Sequence, residues 1–147
     1  MLFRSKDKEA LINDLQRDGT FATIREVLVF AAAFGYTRGI RQPFVEASEP
    51  VRWDTMTKSA YFEAIVDMIC AAESDVRPEF LADDYLDDRV SVFEEYANGG
   101  LELLQKELRN AYGRPLDILT SLIASALRDD PDADDLSVKQ LADELLW

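Results

Sequence analysis

A chain of 147 residues is long enough to bury one core and too short for two ordinary domains with a linker. Its 48% hydrophobic and 31% charged residues exclude a disordered chain, and the absence of histidine excludes Ser/His and Cys/His catalysis and most zinc or non-haem iron sites. No apolar run approaches the ~18 residues of a membrane span, and the opening MLFRSKDKEALIND lacks a secretory core and cleavage site, so a cytoplasmic protein with no membrane partner is expected.

The first predicted helix runs from about Ser5 to Asp18, with Ser5 as N-cap, Leu11, Ile12 and Leu15 on one side and Gly19 as the stop. The second, TIREVLVFAAAFG, carries an unbroken apolar run from Val27 to Phe34 and stops at Gly35. Its three alanines favour helix over strand, and its apolarity makes it the buried central helix. From Tyr36 to Ser59 the period is lost. Two prolines and Gly39 point to a loop, with a short β-hairpin of Pro43–Val45 against Val51–Trp53 as one way to order it. Helical spacing returns with Ala60, Phe62, Ile65, Val66 and Ile69, ending before Pro78. It continues with Leu86, Val90, Phe93 and Ala97, ending at Asn98-Gly99-Gly100, and with Leu101, Leu104, Leu108 and Ala111, ending at Gly113. Pro115 opens PLDILTSLIASALR at the position where a helix accepts proline. A last amphipathic helix, SVKQLADELLW, starts on a capping box of Ser137 and Gln140. The reading is an all-α fold, a single helical domain over 1–128 with six to seven helices, followed by an acidic linker and C-terminal helix over 129–147.

Charge divides unevenly along this order. Residues 1–52 hold 8 Lys/Arg against 7 Asp/Glu, a net +1, and residues 53–147 hold 8 against 22, a net -14. Two acidic clusters sit in the second part. DDPDADD supplies Asp130, Asp132 and Asp134 at the first ligand positions of a calcium loop, but Asp135 replaces the required glycine and Leu141 the bidentate glutamate. ADDYLDDR sets Asp83 against Asp87 and Asp84 against Asp88 at i,i+4, which reads as a solvated face rather than a magnesium site. No phosphate-cradling loop is present, since YANGGL lacks the preceding strand and terminal lysine. Cys70, the only cysteine, sits in AIVDMIC and reads as a small buried hydrophobe. A non-enzymatic protein without cofactor or metal is therefore expected, with a carboxylate-based hydrolase or nuclease as the weaker reading.

The remaining candidate is the stretch from Tyr36 to Trp53. Arg38, Arg41 and Arg52, with Arg25 nearby, can donate paired hydrogen bonds to phosphate or carboxylate, and Tyr36, Phe44 and Trp53 can stack on bases or cover guanidinium planes. The alternative is that the aromatics pin a long loop to the core and the arginines pair with the acidic remainder. Composition leaves both open.

Two segments, EVLVFAAAFGYTRGIRQPF (Glu26–Phe44) and FEEYANGGLELL (Phe93–Leu104) followed by RPLDILTSLI, resemble the Dnd system-associated protein 4 family over residues 4–123. That family comprises small bacterial proteins linked to DNA phosphorothioate modification and restriction. The resemblance implies an accessory or regulatory protein of such a defence system, with the system's protein components as partners. It carries over no catalytic residue, and the part after Ile123 reads as an extension outside the family pattern. Because a chain this acidic repels a duplex, direct DNA contact is weak unless it is confined to the arginine patch or shared with a basic partner. An alternative is an acidic DNA mimic that occupies the groove of a DNA-binding protein.

Overall fold

The helices expected from the periodicity are present in a computed structural model, which describes residues 1–73 and 78–129. Two units are described in turn, Met1–Arg109 and the part from Asn110 onward. Among the described residues there are six α-helices: α1 (Glu9–Arg17), α2 (Ile24–Arg38), α3 (Trp53–Met56), α4 (Ala60–Ala71), α5 (Leu86–Asn110) and α6 (Pro115–Asp129). One 3-10 turn, Lys6–Lys8, precedes α1, and two, Pro78–Leu81 and Asp83–Tyr85, precede α5. The fold is all-α. The calcium-like DDPDADD stretch and the helix expected at the C-terminus lie outside the described residues.

α1 begins after a 3-10 turn at Lys6–Lys8, and the Ser5 hydroxyl donates to the Asp7 carboxylate instead of capping the helix. Its inner face buries Ile12 and Leu15, and Gly19 follows at φ 82°. α2 starts on a reciprocal cap. The Thr23 hydroxyl accepts from the Glu26 amide at 3.2 Å, and the Glu26 carboxylate accepts from the Ala22 amide at 2.9 Å. Val27, Leu28, Ala31 and Ala32 are buried, as a central helix requires.

The sequence placed the stop of α2 at Gly35, but the helix continues to Arg38 and closes at Gly39, where φ is 68°. Gly39 N donates to Tyr36 O at 3.0 Å and Ile40 N to Gly35 O at 2.8 Å, the paired bonds of a Schellman ending. A second correction concerns Asn98-Gly99-Gly100, expected as a helix end. α5 runs through it without a break for 25 residues. The physical reason for both is a backbone crossing of α2 and α5. A Cβ added at Gly35 would come within 2.9 Å of Gly100 N and nearer still to Tyr96 O. One added at Gly100 would come within 2.6 Å of Ala31 C, and one at Gly99 within 2.9 Å of Ile40 C. These glycines are read best as the absence of a side chain at a contact, not as helix stops.

The β-hairpin is not formed. Residues 46–51 pair instead with the N-terminal segment: Leu2 N donates to Val51 O at 2.9 Å, Val51 N to Leu2 O at 2.8 Å, Ser48 N to Arg4 O at 2.8 Å and Lys6 N to Glu46 O at 2.9 Å. The antiparallel bridges Leu2–Val51 and Ser5–Ala47 differ in register by one residue, a bulge beside Pro50. A hairpin of Pro43–Val45 against Val51–Trp53 would lack the amide donor of Pro43, whereas Leu2 and Lys6 both donate to the 46–51 segment. The pairing places Leu2 in the core at 1% exposure.

An edge-on aromatic series, Trp53 to Phe62 at 5.7 Å and Phe62 to Phe93 at 5.4 Å, ties α3, α4 and α5 together. Cys70 is buried in α4 with Val66 and Ile69, as expected for a small hydrophobe. Arg89, 3% exposed, donates to Asp67 at 2.8 Å and to the carbonyls of Phe80 and Ala82 at 2.8 and 2.7 Å, fixing the turns that precede α5. In the second unit, α6 opens at Pro115, and Leu116, Ile123 and Leu127 are exposed along one of its faces.

Candidate functional site

The glycine crossing sets where the arginine and aromatic residues come to rest. Because α2 extends to Arg38, Tyr36 and Arg38 belong to its last turn and not to the loop. Arg38 is exposed, lies 5.4 Å over the Phe34 ring, and has no carboxylate partner among the described residues. Its position at a helix C-terminus favours a cation. Tyr36 packs edge-on against Tyr96 of α5 at 5.5 Å.

Arg41 lies beyond the helix and is held to α5. Its Nε pairs with the Glu95 carboxylate, its Nη1 is 3.8 Å from Glu73, and its guanidinium lies 6.0 Å from the Tyr96 ring centroid. Partial burial works against its charge, but the hydrogen bond and charge of Glu95 outweigh it and hold Arg41 above the ordinary arginine value. The Tyr96 hydroxyl donates to Glu73, and burial together with that bond raises its pKa to about 12. Gln42 N donates to Glu95 O at 3.0 Å, and Asn98 Nδ2 donates to Gln42 O at 3.0 Å.

The other members lie in separate neighbourhoods. Arg25 on α2 donates through Nη1 to Met56 O at 3.3 Å, while its Nε is buried without a partner. Arg52 is exposed and pairs with Asp54 at 2.9 Å. Trp53 is half-buried on α3. Phe44 forms part of the wall of a cleft of about 450 Å³ between residues 5–7 and 42–46, with Asn98 among its lining residues. Tyr36 and Ile40 are exposed near Arg38 in sequence, alongside Thr37 and Gln42, and Val45 further along the loop is fully exposed.

Two partners of the loop, Glu73 and Glu95, have no place in the sequence reading, and Asn98 enters it only as part of an expected helix end. Glu95 and Asn98 lie inside FEEYANGGLELL, so the signal for them was the second familiar segment. The two segments are the halves of one contact: Gly35 against Tyr96 and Gly100, Ile40 against Gly99, Arg41 against Glu95, and Gln42 against Asn98. Asp83 and Asp84 lie in a 3-10 turn, and Asp87 and Asp88 begin α5, all four exposed. Among the described residues no three His, Cys, Asp or Glu side chains converge as a metal site. No described helix is long and apolar enough to cross a membrane.

The molecule is thus a helical protein whose most constrained feature is a crossing that fixes an arginine-bearing helix end and loop on a long helix. The family model for DNA sulphur modification system-associated protein 4 matches residues 3–141, and the chain belongs to that family. The match extends past Ile123 through the acidic linker, so this stretch is part of the family's length and not an extension outside it. No curated protein and no solved structure matches the chain.

Proposed function

We propose that this protein is a non-catalytic accessory component of the DNA sulphur modification system, in its role as a defence against foreign DNA, and that it acts by protein–protein contact through the surface of Tyr36, Arg38, Ile40 and Val45. Its association with such a system follows from the family. The observation that carries the protein-contact reading is the internal pairing of Arg41 with Glu73 and Glu95 beside exposed apolar side chains. Phosphate binding needs free cations, and here Arg41 is already held by Glu95 and Glu73, both partly buried. A formal charge of -13 further weakens affinity for a duplex. Exposed Tyr36, Ile40 and Val45 beside Arg38 have the aromatic, aliphatic and arginine character of interface centres. DNA contact is left to Arg38 or to a complex with a basic partner.

The test is affinity purification of the tagged protein from a host carrying the neighbouring system genes, with mass spectrometry of what co-elutes. Arg38→Glu combined with Val45→Asp is expected to abolish co-elution while circular dichroism stays unchanged. Retained co-elution would remove the surface from the proposal. Displacement of a DNA-binding component from DNA by excess protein at low salt would instead favour the DNA-mimic reading, for which the exposed Asp83, Asp84, Asp87 and Asp88 are the available carboxylates.

A further inference from the structure

We propose that the cleft lined by residues 5–7, 42–46 and Asn98 receives an arginine side chain of the partner protein. This deepens the proposed function and rests on it for the partner's being a protein. At about 30 Å³ of liquid per molecule, a cleft of about 450 Å³ holds well over ten waters, far more than one buried polar atom needs. Its lining includes Pro43, Phe44 and Val45, which are apolar and supply one aromatic ring. The rest of the lining is polar, with the carboxylates of Asp7 and Glu46 set against the single ammonium of Lys6, together with Ser5 and Gln42. Asn98, 5% exposed, uses Nδ2 to hold Gln42 O, and its Oδ1 is buried without a donor.

That inventory selects the ligand. A phosphate or nucleotide would meet two carboxylates, and a purely aliphatic side chain would leave the acceptors unmatched. A guanidinium presents a flat face to Phe44 and five N–H donors to the carboxylates. The Lys6–Glu46 pair at 2.8 Å does not block this, because both side chains are more than half exposed and such pairs are weak and exchangeable. Asp7 stays ionised: the Ser5 hydroxyl bond and the neighbouring Lys8 hold its carboxyl below the usual range despite slight burial.

The experiment is a titration of the full-length, nitrogen-15-labelled protein with the tripeptide acetyl-Gly-Arg-Gly-amide, followed by amide shifts. Parallel arms use the Lys and Gln tripeptides and deoxyadenosine monophosphate. Saturable shifts are expected at Ser5, Gln42, Phe44 and the Asn98 side-chain amide, tighter for Arg than for Lys by about two- to fivefold, the ratio that cation–π stacking on an exposed ring supplies. Phe44→Ala should remove that preference, and Glu46→Gln should weaken both cationic peptides. The inference is overturned if the Gln peptide shifts the same amides equally. It is also overturned if the Arg shifts fall on Asp83–Asp88, if Phe44→Ala leaves the Arg preference intact, or if the nucleotide binds the cleft. Co-elution that survives while the cleft stays silent removes only this assignment. A responsive cleft without any co-eluting protein removes the partner reading and leaves the cleft's cation preference standing.

Discussion

Replacing Gly100 by alanine adds one methyl group to a 25-residue helix, and its outcome separates two accounts of Asn98-Gly99-Gly100. If the glycines ended a helix, alanine would cost little. If they lay in an ordinary helix interior, alanine would stabilise by about 1 kcal/mol through propensity alone. The structure gives the opposite sign. The new Cβ would fall within 2.6 Å of Ala31 C and nearer to Ala31 O, and the obstacle is backbone of α2, which has no rotamer to escape into. The helices must separate, loosening the contacts that ride on the crossing: Tyr36 on Tyr96, Arg41 on Glu95, and the burial of Ala31 and Ala32. Overpacking of a close-packed interior costs about 1–3 kcal/mol, and the upper end applies where backbone meets backbone. The expected net loss is about 3 kcal/mol. At about 2–4 °C per kcal/mol for a chain near this size, the thermal midpoint falls by about 6–12 °C. Urea and thermal denaturation followed by far-ultraviolet circular dichroism measure both quantities. Ala33→Gly, at an exposed site of α2, is the control and should lose only about 1 kcal/mol. A Gly100→Ala protein as stable as the parent, or more so, would refute the crossing.

Other residues give further expectations. Glu94, buried in α5, accepts from Phe3 N at 2.7 Å. Burial raises its pKa to about 7, against the opposing pull of that amide and the amino terminus and with help from Glu95 and Asp87. Because the folded value lies above the unfolded one near 4.5, the protonated form is the favoured native one. Its contribution is fully present below about pH 4.5 and is lost as pH rises through about 7. Glu94→Gln should therefore match the parent near pH 4.5 and exceed it by up to about 3 kcal/mol at pH 8 in urea titrations, and a gain independent of pH would contradict the assignment. Arg89→Ala should cost about 2–3 kcal/mol, mostly by orphaning the carbonyls of Phe80 and Ala82, since Asp67 is 39% exposed and stays solvated. Hydrogen exchange should rise first in residues 78–85, and an even rise along the chain would show that Arg89 does not act locally.

The helical class was legible because α1, α4 and α5 bury apolar residues at a spacing that one stretch of sequence displays by itself. The ends of α2 and the continuity of α5 were not, because a glycine's meaning depends on what stands opposite it. Gly35 and Gly100 have the same local signature as Gly39, yet only Gly39 uses the left-handed conformation, at φ 68°, while Gly35 and Gly100 leave room for a second backbone. The hairpin failed for a related reason. The partner for residues 46–51 lay more than forty positions away, at Leu2–Lys6, and no local pattern announces such a pairing.

These misreadings changed the candidate site more than the fold. Moving the end of α2 from Gly35 to Gly39 transfers Tyr36 and Arg38 from a loop to a helix end, where the backbone is fixed by two Schellman bonds and the negative end of the helix dipole faces the guanidinium. Joining α5 through its glycines brings Glu95, Tyr96 and Asn98 under the loop, and Arg41 turns from a free cation into a bound one. The seven residues read as one basic patch therefore divide by their surroundings: Arg41 and Tyr36 serve the crossing, Arg25 and Trp53 adjoin Met56 and Phe62, Arg52 pairs with Asp54, Phe44 lines the cleft, and Arg38 alone of the four arginines meets no acceptor among the described residues. The proposed contact surface thus rests on one open arginine at a rigid helix end, with Ile40 just past the Gly39 cap. A phosphate track would need several free cations in a row, and here Arg25 is held by Met56 O and Arg41 by Glu95 and Glu73.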